Sequence, residues 1–337
     1  MMDSASPVSG VTAYAPASIG NFAAGFDLLG AALAPLDGSL LGDLVHAAPA
    51  AEASFQLEGP FAAALAGDAR PNLVLRATGL YQDALKALGR PSGPFALRLE
   101  KQLPVASGLG SSASSIVATL AALQALCGDP LGVPELLELA GRAEGSTSGG
   151  IHLDNVAPSL LGGLQLTVPG RDGKPASRRL PWPAELLLVV AHPEYQLPTV
   201  RSRAALPERP AWGDTVEFAG NLAGFVHALH TGDRALLARC LRDPLVEAHR
   251  APLVPGFRAA QAGALAAGAL GCTLSGSGPS IFAVTGDEAD AGTVAAALQE
   301  GFAQADLPSR AWICTLDLEG ARILSPVPRH LLLEAHP

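Results

Sequence analysis

The sequence is short of lysine. Of its 22 basic residues only Lys86, Lys101 and Lys174 are lysines, set against 31 acidic residues, and the formal net charge is −9. Such a surface argues against nucleic acid or an anionic membrane as a partner. Charge of either sign is scarce too, at 16% of the chain, while apolar residues reach 49%. That excludes a disordered chain, which needs high charge and low hydrophobicity. Long apolar runs are missing as well. Two stretches carry no Asp, Glu, Lys or Arg, Gln102 to Gly128 and Ala259 to Gly286. The apolar part of the first, Ile116 to Cys127, is about 12 residues where a membrane span needs ~20. The second is broken by Gly268, Gly271, Gly276, Gly278 and Pro279. Met1 to Gly10 has neither a basic region nor an apolar core, so no signal peptide is expected. The four cysteines, Cys127, Cys240, Cys272 and Cys314, form no CxxC or Cys/His cluster. They read as free buried thiols in a reducing compartment, the cytoplasm.

What is present is alternating strand and helix signal. A length of 337 residues fits two domains, each with a sizeable core. Gly10 to Tyr14, Leu28 to Leu33 and Leu40 to His46 read as strands, and Phe95 to Glu100 alternates as a half-buried strand does. Asn72 to Leu88 predicts a helix closed by Gly89. Ile116, Leu120, Leu123 and Cys127 fall at the spacing of one buried helix face. Pro134 to Glu144 predicts a helix with proline at its start. Leu186 to Ala191 reads as a buried strand. Helices are predicted over Gly213 to His230, Arg234 to Arg242 and Gly256 to Gly268, and strands over Ile281 to Val284 and Trp312 to Leu316. Pro169 to Pro183 reads as a hairpin or connection.

The most informative segment is Pro104-Val-Ala-Ser-Gly-Leu-Gly-Ser-Ser-Ala-Ser-Ser115, between the strand ending at Glu100 and the helix face starting at Ile116. Glycines let a backbone approach a ligand closely. The first amides of a helix are unpaired and its dipole favours an anion there. Ser111, Ser112, Ser114 and Ser115 add hydroxyls for phosphate oxygens or a hydrated metal ion. Strand, Gly/Ser loop and helix together make a phosphate cradle. It is no Walker A loop, which ends in Gly-Lys-Ser/Thr, and no GxGxxG, because Ser-Ser-Ala113 follows Gly108-Leu-Gly110. A lone loop of this kind serves equally well as a ligand-free N-cap.

Two further small-residue loops accompany it. Tyr14-Ala-Pro-Ala-Ser-Ile-Gly-Asn-Phe-Ala-Ala-Gly-Phe-Asp27 places Asn21 and Asp27 in an apolar setting, where polar groups need partners or serve turns. Ser275-Gly-Ser-Gly-Pro-Ser280 lies between a helix and a strand. The three segments resemble the three motifs of the GHMP kinases. Asp154-Asn-Val-Ala-Pro158, Leu161-Gly-Gly163, Thr199-Val-Arg-Ser-Arg203 with Leu206-Pro207, and Arg250-Ala-Pro-Leu-Val-Pro-Gly256 are similar to the homoserine kinases within that superfamily. The resemblance runs from about Val11 to Leu324.

The resemblance implies an α+β, two-domain GHMP kinase fold with the nucleotide site in the crevice between domains, residues 1–165 and 166–337. It implies ATP and Mg²⁺ as cofactors, L-homoserine as the small-molecule partner, and a homodimer. Pro104, Ser107, Gly108, Leu109, Gly110, Ser111, Ser112, Ala113 and Ser114 would wrap the triphosphate. Ser112 and Glu144 would hold Mg²⁺, which prefers hard oxygen ligands. Asn72, in Pro71-Asn-Leu-Val-Leu, would lie near the adenine or simply cap a helix. Arg203 and Arg250 would take the substrate carboxylate, Asp27 the ammonium and Asn21 the reacting hydroxyl. His152, Asn155 and Thr199 would complete the substrate site, and Ser275, Gly276, Ser277 and Gly278 would support the loop. Asn155 stands where several relatives carry an aspartate base. Asparagine cannot take the proton, so catalysis without a dedicated protein base is expected, with Asp154 as the candidate against it. The competing expectations are a mevalonate-type kinase, an inactive nucleotide-binding regulator of the same fold, and a plain structural α+β protein.

Overall fold

The computed structural model describes residues 10–66, 72–148, 151–168 and 175–324. In chain order the strands are β1 (Val11–Pro16), β2 (Ser18–Gly20), β3 (Leu29–Pro35), β4 (Gly42–Pro49), β5 (Ser54–Glu58), β6 (Phe95–Glu100), β7 (Leu164–Val168), β8 (Ala176–Leu180), β9 (Leu187–Pro193), β10 (Gly271–Leu274), β11 (Ile281–Thr285), β12 (Ser309–Leu316) and β13 (Arg322–Ile323). The helices are α1 (Leu73–Ala87), α2 (Ser111–Leu126), α3 (Val133–Ser148), α4 (Val156–Leu161), α5 (Thr199–Ala204), α6 (Trp212–Thr231), α7 (Arg234–Cys240), α8 (Glu247–Arg250), α9 (Phe257–Ala266) and α10 (Glu288–Ala303).

The strands form two sheets. The first has the order β13-β1-β4-β6-β5, antiparallel apart from the parallel β5–β6 pair. The second has the order β10-β11-β9-β12-β3-β7-β8, with β2 paired to β3. A cut at residue 165 does not follow these sheets. β3 pairs with β12 of the second sheet, and β13 returns to pair with β1 of the first. The chain crosses early and crosses back at its end, so each sheet takes strands from both halves.

Sequence patterns explain the layers. Along β9, Leu188 and Val190 enter one core while Leu187, Val189 and Ala191 enter another. β11 divides likewise, with Phe282 and Val284 on one side and Ile281 and Ala283 on the other. A strand covered on both faces has no polar alternation, which is why both read as continuous apolar runs. α9 and α10 pack together on one face, and Phe225 of α6 meets Phe22 and Phe282 on the other. α1 starts where predicted, because Asn72 Oδ1 accepts the amides of Val74 and Leu75 at 3.0 and 3.2 Å. The Asn72–Gly89 reading holds to within a residue.

Three readings need correction. α2 starts at Ser111, not at Ile116, so the four serines belong to the helix. It is also buried nearly all round rather than along one face, lying between the first sheet and α1 and α3. α10 went unpredicted despite its signals, an Asp287 cap bonding Asp290 N at 2.9 Å and Ala291, Val294, Leu298 and Phe302 at helical spacing. All four cysteines are free, and Cys127 is only half-buried. β7 and β8 pair as the expected hairpin. Residues 169–174 between them, including Lys174, lie outside the described residues, as do Pro71 and the first nine residues of the Met1 to Gly10 segment. Among the described residues no helix is long and apolar enough to cross a membrane.

Candidate active site

Three loops meet where the chain passes from the first sheet to the second. β1 and β2 are separated by one residue, Ala17, yet belong to different sheets. The turn after β2 is drawn tight by its polar residues. Asn21 Oδ1 accepts Asp27 N at 2.8 Å, and both residues have left-handed φ, 53° and 57°. Asn and Asp tolerate that conformation better than most residues. The turn reading of these two residues and the site reading are both met, because both also line the cavity described below.

The Gly/Ser loop runs from β6 to α2 and is held from the second sheet's side. Ser275 Oγ donates to Gly108 O at 2.6 Å, Ser280 N to Ser107 O at 3.1 Å and Leu197 N to Ala106 O at 3.3 Å. Ser114 N is the first amide bonded back within α2, to Gly110 O at 2.8 Å. Gly110 is the N-cap and has no side chain to serve the amides of Ser111, Ser112 and Ala113. Three outward-pointing amides at the positive end of a helix form an anion site.

Helical phase then sorts the serines. Positions 111, 114 and 115 share the face turned to the first sheet. Ser111 Oγ donates to Leu103 O at 3.4 Å, Ser114 Oγ to Ala15 O at 2.7 Å and Ser115 Oγ to Asp43 Oδ2 at 2.6 Å. Only Ser112 turns its hydroxyl side to the cavity. Ser114 is therefore a structural residue and not a ligand-facing one. Pro104 is buried and lines neither cavity, and the side chains of Leu109 and Ala113 lie in the core. What Leu109 and Ala113 offer a ligand is backbone.

The cavity in front of this helix end has a volume of about 100 Å³. Its walls include Asn21, Asp27, Ser107, Gly108, Gly110, Ser111, Ser112, Glu144, His152, Asn155, Thr199, Arg203, Arg250, Gly276 and Ser277. Residues 229 positions apart in sequence, Asn21 to Arg250 (250 − 21), thus share one space. A second cavity of about 240 Å³ adjoins it, sharing Ala106, Ser111, Ser112, Glu144 and Thr199. Its far side is apolar, with Phe55, Leu57, Leu73, Val74 and Val200, and Asn72 stands at its edge. Ser275 and Gly278 line neither cavity, in keeping with a supporting role.

Charge in the first cavity is dense. Arg203 grips Asp27 with both terminal nitrogens, at 3.2 and 2.9 Å, and His152 Nδ1 lies 3.4 Å from Asp27. Arg250 is 1% exposed and donates to Gly276 O at 3.1 Å and Ser202 O at 3.4 Å. Burial, and then the charge of Arg203, bring its pKa down to about 10. Glu144 lies inside α3 with its carboxylate buried, not on the surface at a helix end. Burial and the nearby Asp154 raise its pKa to about 7, against the pull of Lys101. Asp154 is raised to about 6 by burial and by Asp27. Its Oδ2 accepts Asn21 N at 3.1 Å and Asn155 Nδ2 at 3.4 Å, while Ser18 Oγ donates to Asn155 Oδ1 at 2.9 Å. Perturbed carboxylates beside paired arginines in a cleft mark a functional site. Among the described residues no cluster of three or more His, Cys, Asp or Glu suited to a metal is present.

Comparison with known proteins decides the family. The model described as "GHMP kinases N terminal domain" matches residues 72–163, and that described as "GHMP kinases C terminal" matches residues 225–304. A homoserine kinase from Cytophaga hutchinsonii is 33% identical, with 96% of this chain and 99% of that one covered and a TM-score of 0.84. The chain belongs to the GHMP kinase family. The L. major mevalonate kinase in complex with R-mevalonate shares the fold at 18% identity and a TM-score of 0.68, covering 92% of this chain and 97% of that one. Streptococcus pneumoniae phosphomevalonate kinase shares it at 14% and 0.66, over 90% and 98%. The members of this family are ATP-dependent small-molecule kinases, and the two-domain GHMP kinase fold is the one expected.

In this GHMP kinase the structure adds residues that the motifs left out. Lys101, Asp43, Ser18, Phe26 and Ser202 all bear on the cavity or its walls. Lys101 carried the one available signal, being the lysine next to the loop. The others are ordinary residues whose partners lie far off in sequence. One consequence is testable at Gly110. Its φ is 64°, and a Cβ there would overlap Ser18 Oγ and press on Asn155 Oδ1. Left-handed backbone costs a non-glycine residue roughly 1–2 kcal/mol before any clash. Gly110→Ala is expected to weaken ATP binding at least tenfold in a fluorescent-nucleotide titration. An unchanged affinity would remove Gly110 from the cradle.

Proposed function

We propose that this GHMP kinase is a homoserine kinase. It transfers the γ-phosphoryl group of ATP to the side-chain hydroxyl of L-homoserine, giving O-phospho-L-homoserine on the route to threonine. The observation that carries the reading is the charge pattern beside the helix end: one carboxylate, Asp27, faces two arginines, Arg203 and Arg250, in one small cavity. A zwitterionic amino acid needs both signs, whereas a hydroxy acid such as mevalonate needs only the cations. The homoserine kinase from Cytophaga hutchinsonii, similar along nearly the whole chain, supports the same substrate.

The roles follow the cavity. The amides of Ser111, Ser112 and Ala113 and the loop from Ser107 to Gly110 cradle the triphosphate, and the base occupies the adjoining apolar cavity by Asn72. Arg203 and Arg250 bind the carboxylate and Asp27 the ammonium. Asn21, His152, Asn155 and Thr199 orient the hydroxyl arm. The donor set fits Mg²⁺: a serine hydroxyl and a carboxylate, both hard oxygens, line the same space. Glu144 is a buried acid beside another acid, Asp154, a placement that a divalent cation would offset. Ser112 and Glu144 would hold the ion, which supplies charge compensation on the phosphates when bound.

Catalysis then rests on position and electrostatics. The helix amides meet charge on the transferring group, and the arginine and aspartate contacts hold the hydroxyl in line. Asn155 cannot accept a proton. Asp154 spends one oxygen on Asn21 N and Asn155 Nδ2, which suits a positioning role. The proton leaves late, to phosphate. A cytoplasmic homodimer completes the proposal.

ATP turnover with L-homoserine, L-threonine, L-serine and mevalonate, read as ADP release, tests it. Homoserine is expected to be preferred by at least tenfold. A folded, ATP-binding protein that leaves homoserine untouched refutes the reading, and turnover of mevalonate in its place makes this a mevalonate-type kinase.

A further inference from the structure

Asp27 and Arg203 face each other across the substrate side of the cavity and are already joined. Both terminal nitrogens of Arg203 are used on the two oxygens of Asp27. The remaining donor, Nε, is buried and has no hydrogen-bond partner among the described residues. The second guanidinium, Arg250, is tied to backbone carbonyls, and both rest on the ring of Phe26, at 5.4 and 5.1 Å from its centroid. A joined guanidinium and carboxylate carry the charge pattern of an amino acid, supplied by the protein to itself. The unpartnered Nε marks a place where one more acceptor oxygen belongs, since a buried donor without a partner is costly.

We infer that the Arg203–Asp27 pair is an exchangeable ion pair that makes the site selective for zwitterions; the inference rests on the homoserine kinase reading. The substrate ammonium takes over Asp27 while the substrate carboxylate takes over Arg203, so the two charges must arrive together. A hydroxy acid brings one charge only. It must leave Arg203 on Asp27 and accept a single Nε contact, or draw Arg203 away and strand Asp27 without a cation. Sites that leave polar groups unpaired in this way reject the analogue by about 10⁴-fold. The exchange also reaches the supporting loop, because α5 carries Arg203 and its Ser202 Oγ donates to Ser277 O at 2.8 Å.

The test compares kcat/KM for L-homoserine and for 4-hydroxybutyrate, the same chain without its ammonium, in the wild type and in Asp27→Asn. Asparagine is chosen because position 27 has a φ of 57°. The wild type is expected to prefer homoserine by about 10⁴-fold. Asp27→Asn is expected to lower the homoserine value by about a hundredfold and to raise the 4-hydroxybutyrate value several-fold, because Arg203 is released to the analogue's carboxylate. ATP affinity should not change. Parallel losses on both substrates would reduce the pair to a structural contact and overturn the inference. Equal use of both by the wild type would overturn it as well, without need of a folded variant, and would leave the homoserine kinase reading standing. A wild type inactive on homoserine overturns both together, which separates the two failures.

Discussion

Lys101→Met is expected to destabilise the protein by about 3–5 kcal/mol, the cost of removing one partner of a buried ion pair. Lys101 is 2% exposed and Asp43 is fully buried. The ammonium is bonded to Asp43 Oδ2, to Ser111 O at 2.9 Å and to Ser115 Oγ at 3.0 Å. Burial alone pushes its pKa down, and Asp43 pulls it back up. The other oxygen of Asp43 accepts the amides of Gln102 and Leu103, at 2.9 and 3.1 Å. One lysine and one aspartate therefore weld β4, the end of β6 and the first turn of α2. Methionine fills most of the volume but leaves the carboxylate without its cation. Urea unfolding should show a lower midpoint at unchanged slope. The paired variant Lys101→Met/Asp43→Asn should recover more than half of the loss, because it leaves no isolated charge. A loss under about 1 kcal/mol in the single variant would mean that the pair is solvated and not the weld described here.

The second large effect is at Glu144. Glu144→Gln is expected to lower kcat by about 10³-fold, since the amide cannot hold a divalent cation as the carboxylate does. ATP binding without metal should change little. Stability should move the other way. The folded-state pKa of Glu144, about 7, lies above its ordinary value of 4.5. Between those values the folded protein holds a proton that the unfolded chain has released, so this group's contribution to stability falls as pH rises from about 4.5 to about 7. A neutral glutamine removes that penalty. Above pH 7 and without metal, Glu144→Gln should unfold at the same or a higher urea concentration than the wild type. A variant both inactive and less stable would show that Glu144 serves the fold and not the reaction.

Legibility in the sequence varied by element. β9 and β11 were readable because a strand buried on both faces is apolar throughout. α1 was readable because Asn72 and Gly89 mark its ends locally. α2 was misread at its start, since Ser111 to Ser115 look like loop by composition. Their helical state comes from packing between the first sheet and α1, which a local window does not contain. The same gap hid the sorting of the serines. All four offer a hydroxyl, but helical phase turns 111, 114 and 115 to the interior and 112 to the cavity. α10 was missed with its cap and apolar spacing in plain view.

By itself the sequence determined the polar inventory: three glycine-rich loops, a net charge of −9 with three lysines, and the order of Asn21, Asp27, Glu144, His152, Arg203 and Arg250. Scarce lysine excluded nucleic acid and membranes as partners but not phosphate, which backbone amides at a helix end can hold. Only the tertiary structure decided which groups face one another. It put one of the three lysines beneath the phosphate helix, Asp27 in the grip of Arg203, and Glu144 beside Asp154. The physical reason is that burial and charge act over a few ångströms of space, while these residues are separated by up to 229 positions of chain, Asn21 to Arg250 (250 − 21). Their ionisation and pairing exist only once the two sheets have brought them together.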